Sequence, residues 1–238
     1  MSPSLYDDPK FFNGYAQLGR SKHGLADAPE WPAVAEVLPS LKDAEVLDLG
    51  CGYGWFCREA RKRGAKRVLG IDVSQKMLDR ASEMTRDDAI QYEQGDLEEV
   101  VLEQDAYDLI YCSLVLHYIV DFAKLAEKIQ SALKPGGYFN FTIEHPLYTA
   151  PKGSHWISVD EEHKIWPLDD YLLEGERRTN WIVEGVVKQH RALATYVNTL
   201  VEAGLGVRKL VEWWPKPEQV EAMPFLIASF TRPVRSSA

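Results

Sequence analysis

Short apolar runs alternate with helical patterns through the first two thirds of the chain. The helical patterns repeat apolar residues at three- and four-residue spacing, as Met77, Ala81 and Met84 do, and predict helices with one buried face. The apolar runs are too short for buried helices and are typical of buried strands. They predict five strands, near residues 45–49, 66–72, 90–94, 107–112 and 138–143. This alternation indicates an α/β fold with a doubly wound, mostly parallel sheet.

Capping residues and chain breakers mark the ends of the helices. Trp31–Leu41 reads as a helix that leads into the first strand, and Trp55–Arg63 reads as a second helix that Gly64 ends. Ser74 and Asp121 precede two further helical patterns, where a short polar side chain can accept from a free backbone N–H. Helices are therefore expected between the successive strands.

The pattern changes after residue 145. Residues 146–190 carry aromatic residues between glycines and prolines, too long an interruption for a bare loop. Tyr171–Arg177 and Trp181–Gln189 are expected to pair as antiparallel strands, before a helix over Arg191–Ala203 and two final strands, Val207–Trp213 and Phe225–Thr231. We expect one domain over 1–238, made of a helical N-terminal cover (1–42), a core (43–145), an insert or cap (146–190) and a C-terminal part (191–238).

The stretch from Glu45 to Gly54 is the most informative part of the chain. Its apolar run ends in Asp48-Leu49, and glycines follow at positions 50, 52 and 54. Glycine permits a sharp turn and lets a ligand approach the backbone. A strand, a glycine turn and a helix N-terminus together predict a ligand cradle at the carboxyl edge of an open sheet.

Composition narrows the classes of function. The 238 residues carry a formal net charge of −9 without a basic run, which argues against a nucleic-acid substrate. The three cysteines, Cys51, Cys57 and Cys112, fall in predicted core elements and are expected to be free thiols, and no spacing suggests a metal site. No signal peptide or membrane-spanning run is visible, so a cytoplasmic location is expected.

Four motifs in register resemble those of class I S-adenosylmethionine-dependent methyltransferases of the type 11-like, small-molecule group. They are the glycine turn at 48–54, Gly70-Ile71-Asp72-Val73-Ser74, Gly95-Asp96-Leu97 and Leu133-Lys134-Pro135-Gly136-Gly137, and they cover roughly residues 43–145. The resemblance implies a Rossmann-like sheet of seven strands whose last two strands form an antiparallel hairpin, with residues 146–190 inserted over the substrate.

The resemblance also implies that S-adenosylmethionine is bound and S-adenosylhomocysteine is released. Asp72 would take both ribose hydroxyls, because a carboxylate offers two acceptor oxygens. Asp96 would accept from the adenine amino group, with Leu97 presenting backbone to the ring, and Asp48 would lie near the cationic half of the cofactor. The other expected cofactor contacts are Tyr15, Arg20, Gly50, Cys51, Gly52, Gly54, Val73, Met77, Cys112, Ser113 and His117.

Two alternative functions remain open at this point. A nicotinamide or flavin enzyme also uses a glycine turn with an acid about 20 residues on. Here the glycines follow a GxGxG pattern rather than GxGxxG, and Asp48 would repel a pyrophosphate but attract a sulfonium cation. A non-catalytic partner protein that binds the cofactor without turnover would keep the same acids and glycines.

The acceptor side is less defined by the sequence. His117, His145 and His190 are the candidate catalytic residues, because an imidazole can accept a proton from an acceptor hydroxyl or amine. The candidate substrate-binding residues are Tyr118, Tyr148, Tyr171 and Trp181. Glu144-His145-Pro146-Leu147 stands where enzymes that methylate amino groups of bases or glutamine carry an Asn/Asp-Pro-Pro-aromatic sequence. We expect a small-molecule acceptor, with the acceptor atom (O, N or C) undecided, and a monomer or homodimer.

Overall fold

The computed structural model describes residues 5–152, 157–160, 164–215 and 223–234. Its strands are β1 (Glu45–Leu49), β2 (Arg67–Asp72), β3 (Ile90–Gln94), β4 (Tyr107–Ser113), β5 (Leu133–Glu144), β6 (Ile157–Ser158), β7 (Lys164–Ile165), β8 (Gly175–Trp181), β9 (Val183–His190), β10 (Gly206–Trp213) and β11 (Phe225–Thr231). Its α-helices are α1 (Pro9–Tyr15), α2 (Gly19–His23), α3 (Trp31–Val37), α4 (Trp55–Lys62), α5 (Gln75–Glu83), α6 (Phe122–Ala132), α7 (Pro146–Thr149) and α8 (Leu193–Glu202).

Seven strands form the main sheet in the order β10-β11-β5-β4-β1-β2-β3. Strands β1 to β5 pair in parallel, whereas β11 pairs antiparallel with both β5 and β10. The predicted fold class, including the antiparallel C-terminal hairpin, is therefore confirmed. The direction of strand order reverses between β1 and β4, and ligands of open α/β sheets bind at such a point.

The core lies on both faces of this sheet. Successive residues of a strand point to opposite faces, so Leu47 and Leu49 pack into one apolar cluster and Val46 into the other. Ile110 and Leu109 of β4 divide between the clusters in the same way. This double burial explains why the central strands read as continuous apolar runs.

The predicted caps are present, and two helix boundaries differ from the sequence expectation. Ser74 Oγ accepts from Met77 N at 3.2 Å, and Asp121 Oδ1 accepts from Lys124 N at 3.0 Å. Helix α3 ends at Val37 instead of Leu41. The reason is Pro39, because a residue before proline is driven to extended backbone, and Leu38 has ψ 142°. Helix α8 begins at Leu193 instead of Arg191, since Ala192 is extended.

The insert contains a hairpin whose strands differ from the predicted ones. β8 runs from 175 to 181 and β9 from 183 to 190, so residues 178–180 belong to the first strand rather than to a turn. The chain reverses at Ile182, which has a φ of +62°. A β-branched residue is strained in this left-handed region, and isoleucine is therefore not a residue type that indicates a turn. For this reason the sequence does not mark the position at which the hairpin turns. Asn180 Oδ1 accepts from Gly185 N at 3.2 Å and helps to close it.

Residues 5–27 form a cover over the carboxyl edge of the sheet. Asp7 Oδ1 accepts from Ser74 Oγ at 2.7 Å, and Asp7 O accepts from Lys76 Nζ at 2.6 Å, which docks the cover on the start of α5. The rings of Phe11 and Tyr15 lie 5.4 and 6.3 Å from the Trp181 ring of the insert. The cover and the hairpin therefore meet above the sheet edge.

None of the helices in the described ranges reaches the length and apolarity that crossing a membrane requires.

Candidate active site

A cavity of about 1350 Å³ opens where the carboxyl ends of β1, β2 and β4 meet. The predicted site residues that line it are Tyr15, Arg20, Asp48, Gly50, Cys51, Gly52, Asp72, Val73, Met77, Asp96, Leu97, Ser113, His117, Tyr118 and Trp181. The strand ends form its floor, and the N-terminal cover and the β8–β9 hairpin lie above it. The topology thus gathers residues that are more than 160 positions apart in the sequence.

The glycine turn leaves empty space on the cavity side. Gly50 and Gly52 have φ values of +72° and +52°. A Cβ on Gly50 would lie 2.3 Å from Val115 Cγ2, so this glycine allows the turn to pack under the segment after β4. A Cβ on Gly52 would meet no heavy atom within 4 Å. Since Gly52 lines the cavity, its missing side chain leaves room for a ligand to approach the backbone.

Asp72 ties the glycine turn to the end of β2. Its Oδ2 accepts from Gly52 N at 2.8 Å, and its Oδ1 accepts from Ser74 N at 2.9 Å. Burial raises the pKa of Asp72 to about 6, against the lowering effect of these backbone donors. Each carboxylate oxygen has a second lone pair, so both can still accept from a ligand hydroxyl.

Asp48 is a buried carboxyl group without a cationic partner in the described part of the chain. It is 2% exposed, and burial raises its pKa to about 7, although the Cys57 thiol donates to Oδ2 at 3.2 Å. Nearby Asp72 raises that pKa further. A buried unpaired charge is costly, so the site favours a positively charged ligand group beside Asp48.

Asp96 and Leu97 follow β3 at one end of the cavity. Asp96 Oδ1 accepts from Glu98 N at 3.0 Å and holds a turn, as expected for an acid after a strand. Leu97 is buried and packs into the core as well as lining the cavity. Met77 is 1% exposed and likewise serves both core and cavity wall.

Several predicted site residues lie outside the cavity. Gly54 is the left-handed cap of α4, where a Cβ would lie 2.1 Å from Tyr92 Oη. Cys112 is fully buried in the core because it points to the sheet face opposite its neighbours. Tyr148 stacks on Trp166 at 4.5 Å, and Tyr171 Oη accepts from Leu193 N at 3.0 Å. These four residues have structural contacts instead of cavity positions.

His145 and His190 also lie outside the cavity, because local hydrogen bonds hold both rings. His145 Nδ1 accepts from Leu147 N at 3.2 Å as the cap of α7, and its Nε2 lies 3.0 Å from Glu212 Oε1. His190 Nδ1 lies 2.8 Å from Thr149 Oγ1, and its Nε2 donates to Tyr171 O at 2.9 Å. Neither ring has a free nitrogen to offer to a substrate.

His117 differs from both. It lines the cavity, is 2% exposed, and its Nδ1 has no hydrogen-bond partner among the described residues. Burial lowers the pKa of His117 to about 4, with Lys188 and Arg191 lowering it and Glu144 raising it. The imidazole is therefore neutral at physiological pH, with one nitrogen available to a ligand.

The structure also places two glutamates in the cavity lining: Glu144, a sequence-based candidate because it follows the fifth strand, and Glu30, which the sequence-based prediction of the site did not include. Glu144 lines the cavity and accepts from Lys188 Nζ at 2.5 Å, with both side chains buried. Glu30 also lines it and accepts from Arg20 Nη2 at 3.0 Å. The position of Glu144 at the end of β5 is a usable signal for a site residue. The alternating polarity of β9, in contrast, is typical of a solvent-exposed strand and conceals the burial of Lys188.

No group of three metal-ligating side chains comes together in the ranges that the structure describes.

Comparisons with known proteins agree with this geometry. A family model for a methyltransferase domain matches residues 47–141. A crystal structure of an S-adenosylmethionine-dependent methyltransferase from Mesorhizobium loti is 43% identical with a TM-score of 0.83, and covers 88% of this chain and 100% of that one. An uncharacterised protein of Haemophilus influenzae is 32% identical over 217 residues, which span 88% of this chain and 85% of that protein.

A relative with a named activity matches over a shorter region. The malonyl-[acyl-carrier protein] O-methyltransferase of Serratia marcescens is 35% identical over 121 residues. The match spans 51% of this chain and 46% of that enzyme, so the chain matches about half of the enzyme's length.

Proposed function

The chain belongs to the class I S-adenosylmethionine-dependent methyltransferases, and we propose that it transfers the methyl group to a small molecule held beneath the β8–β9 hairpin. The observation that carries this proposal is one continuous cavity that joins the cofactor motifs to an aromatic end with a neutral histidine. A site for one small ligand typically measures about 300–1000 Å³. The cavity of about 1350 Å³ therefore has room for a cofactor and an acceptor together.

The residues at the cofactor end fit S-adenosylmethionine. Asp72 keeps one lone pair on each oxygen for the two ribose hydroxyls, and Gly52 leaves its Cβ position open. Asp48 offers an unpaired negative charge to the cationic half, and Asp96 stands where the adenine amino group is expected. The same unpaired carboxylate disfavours a nicotinamide cofactor, whose pyrophosphate would be repelled there.

When bound, the cofactor supplies an activated methyl group and a thioether leaving group. The protein contributes alignment of the acceptor and removal of water, which together account for much of the rate of a displacement reaction. The N-terminal cover and the hairpin would limit the access of water, because Phe11 and Tyr15 pack against Trp181 above the sheet edge.

We assign the handling of the acceptor's proton to His117. Its Nδ1 can accept a hydrogen bond from an acceptor hydroxyl or amine and thereby orient the lone pair of the attacking atom. With a pKa of about 4 the ring is a weak base, so orientation is its main contribution. The neutral form persists across physiological pH, and this role should not titrate there.

Calorimetry with S-adenosylmethionine, S-adenosylhomocysteine and NAD tests cofactor choice. We expect the first two to bind and NAD not to bind, and tight NAD binding would contradict the proposal. Turnover is tested separately by incubating the protein with cofactor and fractionated metabolite pools, and measuring S-adenosylhomocysteine release and mass-shifted products. Cofactor binding without a methylated product in any pool would favour a non-catalytic partner protein.

A further inference from the structure

The part of the cavity lined by the cover, the end of β5 and the β8–β9 hairpin has a distinct chemistry. We define the acceptor end as the region lined by Tyr6, His117, Tyr118, Glu144 and Trp181. It combines aromatic rings with one carboxylate, and of these residues only His117 is also an expected cofactor contact. Its composition therefore bears on the acceptor rather than on the cofactor.

Glu144 presents the negative member of an ion pair to this region. Glu144 lines the cavity, whereas its partner Lys188 does not. Lys188 Nζ donates to Oε1 at 2.5 Å, and Oε2 has no hydrogen bond within the described ranges. The pair is thus a dipole whose negative end faces the ligand space.

The acceptor end offers no free positive charge in the part of the chain that the structure describes. Arg20 is the one lysine or arginine that lines the cavity there, and both oxygens of Glu30 accept from it. Arg191 lies behind the wall and donates to the carbonyl oxygens of Ile119 and Val120 at 2.6 and 2.8 Å. An acidic acceptor would therefore meet no unpaired lysine or arginine on the described lining, because Lys188 and Arg191 are held by Glu144 and by carbonyl oxygens.

Acidic side chains outnumber this single arginine in the lining of the whole cavity. Those described are Asp27, Glu30, Asp48, Asp72, Asp96, Glu98, Glu144 and Glu184. The resulting potential attracts cations and repels carboxylates, and low-dielectric walls strengthen that preference.

Aromatic rings surround the same space. The Tyr6 ring lies 5.6 Å from that of Tyr15 and 6.2 Å from that of Tyr118, and the Tyr15 ring lies 6.3 Å from that of Trp181. The Trp181 ring already makes a cation–π contact, since Lys188 Nζ lies 5.5 Å from its centroid. Aromatic walls around an acid are the usual means of recognising an ammonium group.

We propose that the acceptor is an amine whose ammonium group binds Glu144 Oε2 between these aromatic rings. This inference rests on the proposed methyltransferase function and names its substrate class. Before transfer, the ammonium group loses one proton, which passes to bulk solvent, and His117 Nδ1 accepts a hydrogen bond from a remaining N–H and orients the lone pair. The nitrogen lone pair then forms the N–C bond as the C–S bond breaks, and sulfur keeps the electron pair of that bond. Each turnover therefore yields an N-methylated ammonium product, S-adenosylhomocysteine and one proton.

Three probes with one shared body test the charge preference. Phenethylamine, 2-phenylethanol and 3-phenylpropionate differ at one end, which is cationic, neutral or anionic at neutral pH. Their binding is measured by calorimetry in the presence of saturating S-adenosylhomocysteine, whose own binding shows that the proposed cofactor site is intact. We expect the amine to bind at least about tenfold more tightly than the alcohol, since hydrogen bonds to charged groups are the stronger ones. The acid should bind most weakly.

Variants assign the preference to Glu144. Glu144→Gln should remove the advantage of the amine over the alcohol, and Glu176→Gln, an exposed acid on the same hairpin, should keep it. Because Glu144→Gln leaves Lys188 buried without a partner, the double variant Glu144→Gln/Lys188→Gln removes both charges and serves if the single variant unfolds. An amine that binds no more tightly than the alcohol, or a preference that survives in the folded double variant, would overturn the inference. If S-adenosylhomocysteine itself fails to bind, the proposed function fails first.

Discussion

Replacement of Asp48 by asparagine should stabilise the free protein and weaken cofactor binding. Asp48 is 2% exposed, and burial raises its pKa to about 7. In the unfolded chain an aspartate has a pKa of about 3.9. The folded state therefore disfavours the ionised carboxylate, and at neutral pH the unpaired charge of Asp48 lowers the free energy of unfolding. Asparagine has a similar size and shape, and removes the charge.

The magnitude follows from the difference between the two pKa values. When a group has a higher pKa in the folded state than in the unfolded state, its contribution to the free energy of unfolding is fully present below the unfolded-state pKa. That contribution is lost as the pH rises through the folded-state pKa. Above both values the loss is about 4 kcal/mol for Asp48. Between about pH 5 and about pH 8 the free energy of unfolding should fall by about 3 kcal/mol through this group alone.

Urea unfolding of the wild type and of Asp48→Asn at these two pH values measures the effect. Asp72 also has a raised pKa and titrates in both proteins, so its own burial cancels in the difference, whereas its repulsion of Asp48 is removed in the variant and belongs to the measured effect. We expect the wild type to lose about 3 kcal/mol more than the variant as pH rises. Asp79→Asn, an exposed acid on α5, is the matched control and should follow the wild type.

Calorimetry with S-adenosylmethionine, whose sulfonium carries the positive charge that S-adenosylhomocysteine lacks, completes this test. The variant should bind at least about tenfold more weakly near pH 8, because the cationic half of the cofactor loses a charged partner. A variant with the same pH slope as the wild type would refute the assignment of the raised pKa to Asp48. A stabilised variant with unchanged affinity would show that the carboxylate does not face the cofactor.

The remaining predictions concern the glycine turn, the ribose acid and the histidine. Gly52→Ala should lower the free energy of unfolding by about 1–2 kcal/mol, because alanine is strained in the left-handed backbone, and it should weaken S-adenosylhomocysteine binding. Gly50→Ala should lower the free energy of unfolding further, as measured by urea unfolding, because its Cβ also clashes with Val115. Asp72→Ala should reduce cofactor affinity at least about tenfold in calorimetry, and an unchanged affinity would leave Asp72 as a turn residue only. His117→Ala should lower kcat by up to about 10²-fold, the low end for such a group, with cofactor affinity nearly constant; full activity would leave alignment alone as the mechanism.

The sheet could be predicted from the sequence because its strands are buried on both faces. A short, mostly apolar run such as the one at 46–49 is typical of a strand with both faces covered, and the glycines and acids at strand ends follow from the parallel topology. The antiparallel pairing of the last two strands in a seven-stranded sheet came from the resemblance to a known family rather than from the pattern itself.

The insert could not be predicted in the same way. Its hairpin turns at Ile182, a residue type that strongly disfavours the backbone angle it adopts, so the pattern gave strands displaced by several residues. Lys188 and Arg177 are charged yet buried, because Glu144 and several carbonyl oxygens accept their hydrogen bonds. Such tertiary partners leave no mark in the local sequence.

The histidines show the limit of sequence reasoning about chemistry. His117 and His145 both follow strands that end at the ligand edge, but only His117 lines the cavity. His145 has become a helix cap, because its ring nitrogen satisfies the N–H of Leu147. Sequence position identifies the edge of the sheet, whereas the competition for hydrogen bonds decides where each ring points.

The docking of the N-terminal cover on α5 has a kinetic consequence. Tyr6 and Tyr15 line the cavity from above, and Asp7 fastens their segment to Ser74 and Lys76. We expect a ligand below them to enter and leave when these contacts open, and the frequency of opening then sets an upper limit on both rate constants. Weakening the contact between Asp7 and Ser74 would therefore speed association and dissociation together. Under the proposed function, we expect the cover to control the residence time of the spent cofactor.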